Sequence, residues 1–308
     1  MRSPEPWAVI LAGGEGTRLQ SLTRFISGDT RPKQFCPIFG GRTLLDQTRA
    51  RLVKLIPPER TLFVVQDAHQ PFYRTQLADA DPDLILSQPA NKGTAVAIAL
   101  AVGKILARDR QAAVAVFPAD HHYDRDEVFL AAVDRSFELA ERHRSSLTLL
   151  GAEAYSPETE YGWIEPQFDD YGVARVLRFW EKPPPGRARE LLARGCLWNT
   201  FVMIGKARAF ADMTGAAAPG LNASVQRLLR RWDDPPRRRR IFSLLPPVDF
   251  SRHVLALATG RLLALPLRGV RWSDLGKPER VLATLAEAGI RPSWMEKFAG
   301  ASRNATTA

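Results

Sequence analysis

Three glycines in four positions, followed at once by a threonine and an arginine, mark the first candidate site: Leu11-Ala-Gly-Gly-Glu-Gly-Thr-Arg-Leu19. Glycine permits positive φ and close backbone approach, so main-chain N–H groups here can face an anion or a nucleobase. Arg31-Pro-Lys-Gln-Phe35 follows shortly after. Arginine offers phosphate oxygens a rigid fork of donors and lysine a mobile point charge, so Arg18 and Lys33 beside this turn describe a triphosphate cradle. The turn is not a dinucleotide fingerprint, because Leu19 stands where a third glycine is needed. Nor is it a Walker A loop, because no Gly-Lys-Ser/Thr ends it. Two later aspartates, Asp120 in Phe117-Pro-Ala-Asp-His-His122 and Asp274 in Arg271-Trp-Ser-Asp-Leu-Gly276, read on their own as caps, Asp120 of a turn and Asp274 of a helix beginning near Pro278. His121 and His122 lack a third ligand at metal spacing.

The elements that must position these residues alternate. Trp7 to Ala12 is unbroken apolar and reads as a buried strand ended by Gly13-Gly14. Thr43 to Lys54 has helical spacing, Thr61 to Val65 and Leu84 to Leu86 read as strands, and Thr94 to Leu106 is an Ala-rich helix. Ala113 to Phe117 is a strand closing on Pro118-Ala-Asp120, Glu127 to Arg142 an amphipathic helix, and Ser146 to Leu150 another strand. This rhythm predicts an α/β fold, a three-layer, Rossmann-like, mostly parallel sheet with helices on both faces. After residue 155 it changes. Tyr161 to Pro166, Val173 to Trp180, Leu197 to Ile204 and Leu262 to Leu267 read as strands, with a last helix over Pro278 to Glu287, so a second lobe is expected on the same sheet. The expected division is a catalytic domain over 1–290, nucleotide-binding to about 150 and sugar-binding from about 151, with a tail over 291–308, frayed from 299.

GGEGTRL followed by RPKQF resembles the sugar-phosphate nucleotidyltransferases, and the PKQF form is most similar to the mannose-1-phosphate guanylyltransferases. The remaining motifs agree in order. The resemblance implies magnesium held by Asp120 and Asp274. It implies sugar contacts from Gly162 and Glu165 of Tyr161-Gly-Trp-Ile-Glu165, from Glu181 of Phe179-Trp-Glu-Lys-Pro183, and from Asn199 of Trp198-Asn199. Lys182 meets the sugar phosphate, while Leu11, Ala12, Gly13, Gly14, Gly16, Thr17, Gln88, Gly93 and Thr94 surround the nucleotide. The implied fold is the nucleotide-diphospho-sugar transferase type. The implied reaction joins GTP to mannose 1-phosphate, giving GDP-mannose and pyrophosphate. Its chemistry is an in-line displacement at the α-phosphorus by a phosphate oxygen already anionic at neutral pH, so no general base is required. Catalysis then reduces to alignment and charge cancellation by Arg18, Lys33, Asp120, Lys182 and Asp274.

Several positions depart from that pattern. The spacer from Arg24 to Arg31 is longer than usual, Ser21 stands where proline is common, and Phe201 replaces a glycine in a way expected to crowd the sugar pocket. The base-contacting region reads Gln88-Pro-Ala-Asn-Lys-Gly-Thr-Ala95 in place of an acidic residue and proline followed by Arg-Asn-Thr-Ala. Gln88 both donates and accepts, so by itself it does not separate guanine from thymine. Thymidylyl, uridylyl or adenylyl transfer to glucose 1-phosphate, and a non-catalytic sugar-nucleotide sensor, therefore stand as rivals.

Composition narrows the classes further. The chain has 308 residues, 45% apolar and 25% charged, enough for a buried core without disulfide staples. Cys36 and Cys196 form neither a disulfide framework nor a zinc site. A net charge of +10 from 43 basic and 33 acidic residues invites a nucleic-acid reading. The densest run, Arg237 to Arg240, reads instead as a solvated loop beside Pro235-Pro236, with no zinc-finger spacing or aromatic RNA-binding strand. The longest apolar stretch, Thr94 to Ala107, is broken by Lys104 and falls short of the roughly 20 residues of a span. The expectation is a cytoplasmic enzyme with neither nucleic-acid nor membrane partner, its oligomeric state open. The roughly 30 residues after Gly276 are too few for a β-helix or isomerase domain.

Overall fold

The computed structural model describes residues 5–170 and 172–298. The first half carries β1 (Trp7–Leu11), α1 (Gln20–Ser27), α2 (Leu44–Leu52), β2 (Thr61–Gln66), α3 (Gln70–Gln76), β3 (Ile85–Gln88), α4 (Thr94–Arg108), β4 (Ala113–Pro118), β5 (His122–Tyr123), α5 (Asp126–Arg142) and β6 (Leu147–Glu153). Then come β7 (Gly162–Phe168), β8 (Ala174–Glu181), α6 (Pro185–Ala193), β9 (Leu197–Lys206), α7 (Ala207–Ala217), α8 (Leu221–Leu229), α9 (Pro235–Ser243), α10 (Phe250–His253), β10 (Leu262–Leu267), β11 (Trp272–Ser273) and α11 (Pro278–Glu287).

The fold is α/β. Nine strands form one sheet in the order β3-β2-β1-β4-β9-β6-β10-β8-β7. Strand β1 reads as continuous apolar sequence because both its faces are covered. Trp7 and Val9 enter one core with α4, α7 and α8, and Ala8 and Ile10 enter the other with α2 and α5. Helix α4 is apolar nearly all round for the same reason, with Ala95 to Gly103 buried throughout.

The expectation of a mostly parallel sheet is corrected. Strands β3, β2, β1 and β4 are parallel, but β9 runs antiparallel to both β4 and β6. Strand β10 is parallel to β6, and β8 and β7 follow antiparallel. Strand β7 also pairs with β9, at Trp163 with Trp198, so β9, β6, β10, β8 and β7 close into a ring. Only the β7–β8 pair is signalled by a short connection, residues 169–173, which suits antiparallel neighbours.

Two further expectations change. Arg237 to Arg240 lie on helix α9, not a loop. Pro235 and Pro236 occupy its first turn, where their missing N–H groups cost nothing, and the Asp234 side chain accepts from Arg237 N. The packed body also runs past residue 290. Residues 293–298 are helical, and Trp294 is buried with its Nε1 donating to Ile38 O at 2.9 Å. The frayed tail expected over 299–308 lies outside the described residues. No helix among the described residues is long and apolar enough to cross a membrane.

A third, smaller apolar cluster holds distant segments together. Leu19 and Leu22 of the first turn, Cys36 and Ile38 after Lys33, and Leu275, Val281, Leu285 and Trp294 from the C-terminal part pack on one another.

Two outcomes test this packing. Gly93 sits at φ 84, where an added Cβ would strike the main-chain oxygen of Val248. Gly93→Ala is expected to cost about 2–4 kcal/mol and lower the melting temperature by roughly 5–15 °C. A scanning calorimetry trace within 1–2 °C of wild type (~0.5 kcal/mol) would refute the close approach. Burial raises the Cys36 thiol, and burial together with Glu165 pushes Cys196 up to about 11. Both thiols are therefore protonated at pH 8, and a disulfide reagent should find no fast thiol in the native protein and two after unfolding.

Candidate active site

The glycine turn leaves β1 at the carboxyl end of the parallel strands, the usual place for ligands in an open α/β sheet. Its shape is set by a buried amide. Gln34 Nε2 donates to both Ala12 O and Gly14 O at 2.8 Å. Gln66, at the end of β2, donates to Gly13 O. Gly16 adopts φ 62, and a Cβ there would lie 3.1 Å from Lys33 N, so glycine is what lets the turn touch the segment carrying Lys33. Gln88, at the end of β3, is buried against Gly13, and its Nε2 has no hydrogen-bond partner among the described residues, a donor left for something else to satisfy.

Lys33 reaches across the cleft. Its Nζ lies 3.4 Å from Asp120 Oδ2 and donates to the main-chain oxygen of Asp274. Asp120 follows β4, and Asp274 follows β11, which pairs with β5 through Ser273 and His122. The Asp274 carboxylate accepts from Tyr161 OH at 3.2 Å, from Gly276 N at 2.9 Å and from Arg280. Burial would raise its pKa, but Lys33 and Arg280 outweigh that and hold it below the usual carboxylate range. Beside it, burial pushes the His121 ring down to about 4, so it is neutral and packs against Trp272. His121 is thus an interior residue, and burial likewise lowers His122, stacked on Phe39, to about 4.

A second group lies across β7. A Cβ at Gly162 would be 3.0 Å from Phe179 Cζ, 3.1 Å from Glu181 Oε2 and 3.3 Å from Asn199 Cβ, so the missing side chain lets these groups pack close against the main chain of β7. Burial and the neighbouring Asp249 raise the Glu181 carboxyl. Lys182 follows at φ 50, with Nζ 3.9 Å from Glu181 Oε1. Tyr161 joins the two groups, since its OH reaches Asp274 and its main-chain oxygen accepts from Lys182 N at 3.1 Å.

Not every expected residue gathers here. Glu165 is three positions from Gly162 on β7 and so faces the other side, where it pairs with Arg194 and accepts from Trp180 Nε1 at 3.5 Å. Arg18, on the single helical turn opened by Thr17, points to Glu160 at 3.2 Å. The Thr94 hydroxyl accepts from Phe250 N at 2.8 Å, and with Gly93 it docks the segment before α10. Leu11 and Ala12 contribute main chain, Ala12 N bonding Val64 O at 2.8 Å. Phe201 adopts φ 60 where β9 bulges against β6, and its ring packs on the first core. No group of three or more His, Cys, Asp or Glu residues is gathered for a metal ion among the described residues. Any cation at Asp120 and Asp274 would therefore take its remaining ligands from substrate and water.

The sequence profile of the nucleotidyl transferases matches residues 7–288. The chain belongs to the nucleotidyl transferase family. Among its relatives, the alginate biosynthesis protein AlgA of Pseudomonas syringae pv. tomato is 31% identical over 278 residues, covering 87% of this chain and 56% of that protein. Mannose-1-phosphate guanylyltransferase ManC of Salmonella typhimurium is 28% identical over 292 residues, covering 90% and 58%. The chain thus spans little more than half the length of these relatives. A solved structure described as mannose-1-phosphate geranyltransferase from Thermus thermophilus superposes with a TM-score of 0.79 at 30% identity, covering 91% of this chain and 79% of that one.

Within this candidate site, sequence reasoning missed Gln34, Gln66, Tyr161 and Arg280. Gln34 and Tyr161 lay inside quoted motifs, yet a buried amide or a bridging phenol has no signature of its own in sequence. Arg280, two residues into α11, reads as one more helix-surface cation. Gln34→Leu should weaken nucleoside triphosphate binding about tenfold or more, because the turn loses both donors and two carbonyls are left unpaired at about 1–3 kcal/mol each. Isothermal titration decides it; wild-type affinity would show that the turn keeps its shape unaided.

Proposed function

We propose that this chain catalyses nucleotidyl transfer from GTP to mannose 1-phosphate, releasing pyrophosphate and forming GDP-mannose. The observation that carries the reading is Lys33 set between Asp120 and Asp274 at the mouth of the glycine turn. The names of the relatives point to the same substrates.

In this reading the chain has a nucleotide-binding half to about residue 150 and a sugar-binding half from about 151 to 290, within a nucleotide-diphospho-sugar transferase fold. The base lies by Gln88, whose unpaired amide can meet a ring carbonyl. Main-chain groups of Gly13, Gly14 and Gly16, with Arg18 and Lys33, hold the triphosphate. Gly162 lets Glu181 and Asn199 approach the main chain of β7, and those two side chains take the sugar hydroxyls. Lys182 meets the sugar phosphate, the one unit able to attack. Its oxygen bonds to the α-phosphorus as the bond to the β-phosphate oxygen breaks, and the electron pair leaves with pyrophosphate. Glu165, held by Arg194, braces strand β7 and does not touch sugar.

The Lys33 ammonium lies between the Asp120 carboxylate and the Asp274 main-chain oxygen, and Asp120 and Asp274 offer only oxygen donors, which suit a hard divalent ion such as Mg²⁺. Asp120 and Asp274 would hold it, and its charge would offset that of the phosphates. We read the protein as cytoplasmic, the compartment where nucleoside triphosphates are held.

Each nucleoside triphosphate crossed with a panel of sugar 1-phosphates, with pyrophosphate as the readout, tests the reading. GTP with mannose 1-phosphate should give the highest kcat/KM. A clear preference for dTTP, UTP or ATP with glucose 1-phosphate would replace the substrates. Release with no pair would leave a sugar-nucleotide sensor. Asp120→Asn and Asp274→Asn should each cost on the order of 10² or more in rate; wild-type turnover in both would overturn their role.

A further inference from the structure

Glu160, in the loop before β7, draws three cations onto one carboxylate. Its Oε1 lies 3.2 Å from Arg18 NH1, and its Oε2 lies 2.9 Å from Lys277 Nζ and 3.5 Å from Arg280 NH2. The three come from separate stretches of chain: the glycine turn, the residue just before α11, and α11 itself. Arg280 is otherwise engaged. It binds Asp274 and Glu158 and lies over the Tyr161 ring at 4.5 Å, with 13% of its side chain exposed. Arg18 and Lys277 are different. Their side chains are 54% and 44% exposed, and among the described residues Glu160 is the only acidic partner of either. Burial would raise the Glu160 carboxyl, but Lys277, Arg18 and Arg280 outweigh it and hold the group ionised.

We propose that Lys277 joins Arg18 in the triphosphate cradle, and that the Glu160 carboxylate occupies this cradle until a nucleoside triphosphate displaces it. The inference rests on the reading of the glycine turn as a triphosphate site. Lys277 stands three residues after Asp274, whose main-chain oxygen binds Lys33, and Arg280 binds both Asp274 and Glu160, so Arg18, Lys33, Lys277 and Arg280 are linked through these two acidic residues. A carboxylate brings one charge to this group. A triphosphate brings about four, on oxygens that a guanidinium and an ammonium both bind well, so it displaces the carboxylate. Until then Glu160 keeps the cations from repelling one another and keeps inorganic phosphate, with fewer charges, from settling there. The same contact reduces apparent affinity by the fraction of molecules in which it is closed.

The test is GTP binding to the full chain without sugar phosphate, measured by titration calorimetry for wild type, Glu160→Gln and Lys277→Met. Glu160→Gln keeps the shape and removes the charge, and should tighten GTP binding about three- to tenfold, as expected for breaking one or two exposed ion pairs. Pyrophosphate should bind tighter by a similar factor. Lys277→Met, at a half-exposed position, should weaken GTP binding by a comparable factor. The KM for the sugar 1-phosphate should stay put in both. Unchanged or weaker GTP binding in Glu160→Gln overturns the displacement, and unchanged binding in Lys277→Met overturns the role of Lys277. A lowered melting temperature with wild-type GTP affinity would make Glu160 a structural brace and nothing more. If wild type binds GTP and turns over, such failures touch this inference alone; if it binds no nucleoside triphosphate, the proposed function falls with it.

Discussion

One ammonium group ties the cleft together. Lys33 links two segments 241 positions apart in sequence, accepted by the main chain of Asp274 and facing the carboxylate of Asp120. The carboxylates of these two segments stand in a partly desolvated cleft, where a nearby cation offsets their charge, as Lys33 and Arg280 do for Asp274. The apolar cluster of Leu19, Ile38, Leu275, Leu285 and Trp294 supplies the cohesion that brings the segments together. Gln34, the next residue, shapes the glycine turn, so a single short segment sets both the turn and the charge pattern opposite it.

Backbone strain follows the same map. Among the described residues, the non-glycine residues at positive φ are Lys182, Phe201 and Leu275, at 50°, 60° and 50°. Each stands one or two residues from a candidate site residue: Glu181, Asn199 and Asp274. Such conformations cost about 1–3 kcal/mol apiece. Each is held by a bond from its own N–H, to Tyr161 O at 3.1 Å, Asn199 Oδ1 at 3.1 Å and Ser273 Oγ at 3.2 Å. Each of the three strained positions is thus fastened locally.

Much of this was legible in the residue order. The runs Trp7 to Leu11, Thr61 to Val65 and Ala113 to Phe117 gave away the parallel half, because strands covered on both faces are apolar throughout. Family motifs then pointed to Lys33, Asp120 and Asp274. What stayed hidden depends on contacts between distant segments. The ring of strands arises because β7 touches both β8 and β9, a pairing no local period encodes. Glu165 is expected from its motif to meet sugar, whereas strand alternation puts it on the opposite face from Gly162, paired with Arg194. The arginine run looked like a loop because two prolines precede it, yet at the first turn of a helix proline is welcome.

The ring of strands has a consequence for how molecules of this protein meet. A sheet ordinarily offers two lateral edges on which another chain can lay a strand. Here β7 turns back onto β9 at Trp163 and Ile164, so only the far part of β7 is left open at that end of the sheet. The other end is β3, only four residues long, with Pro82 shortly before it and Pro89 directly after. Growth by strand addition therefore meets one partly closed end and one very short one. Crowded or partly unfolded molecules are denied the long, flat template from which ordered aggregates extend.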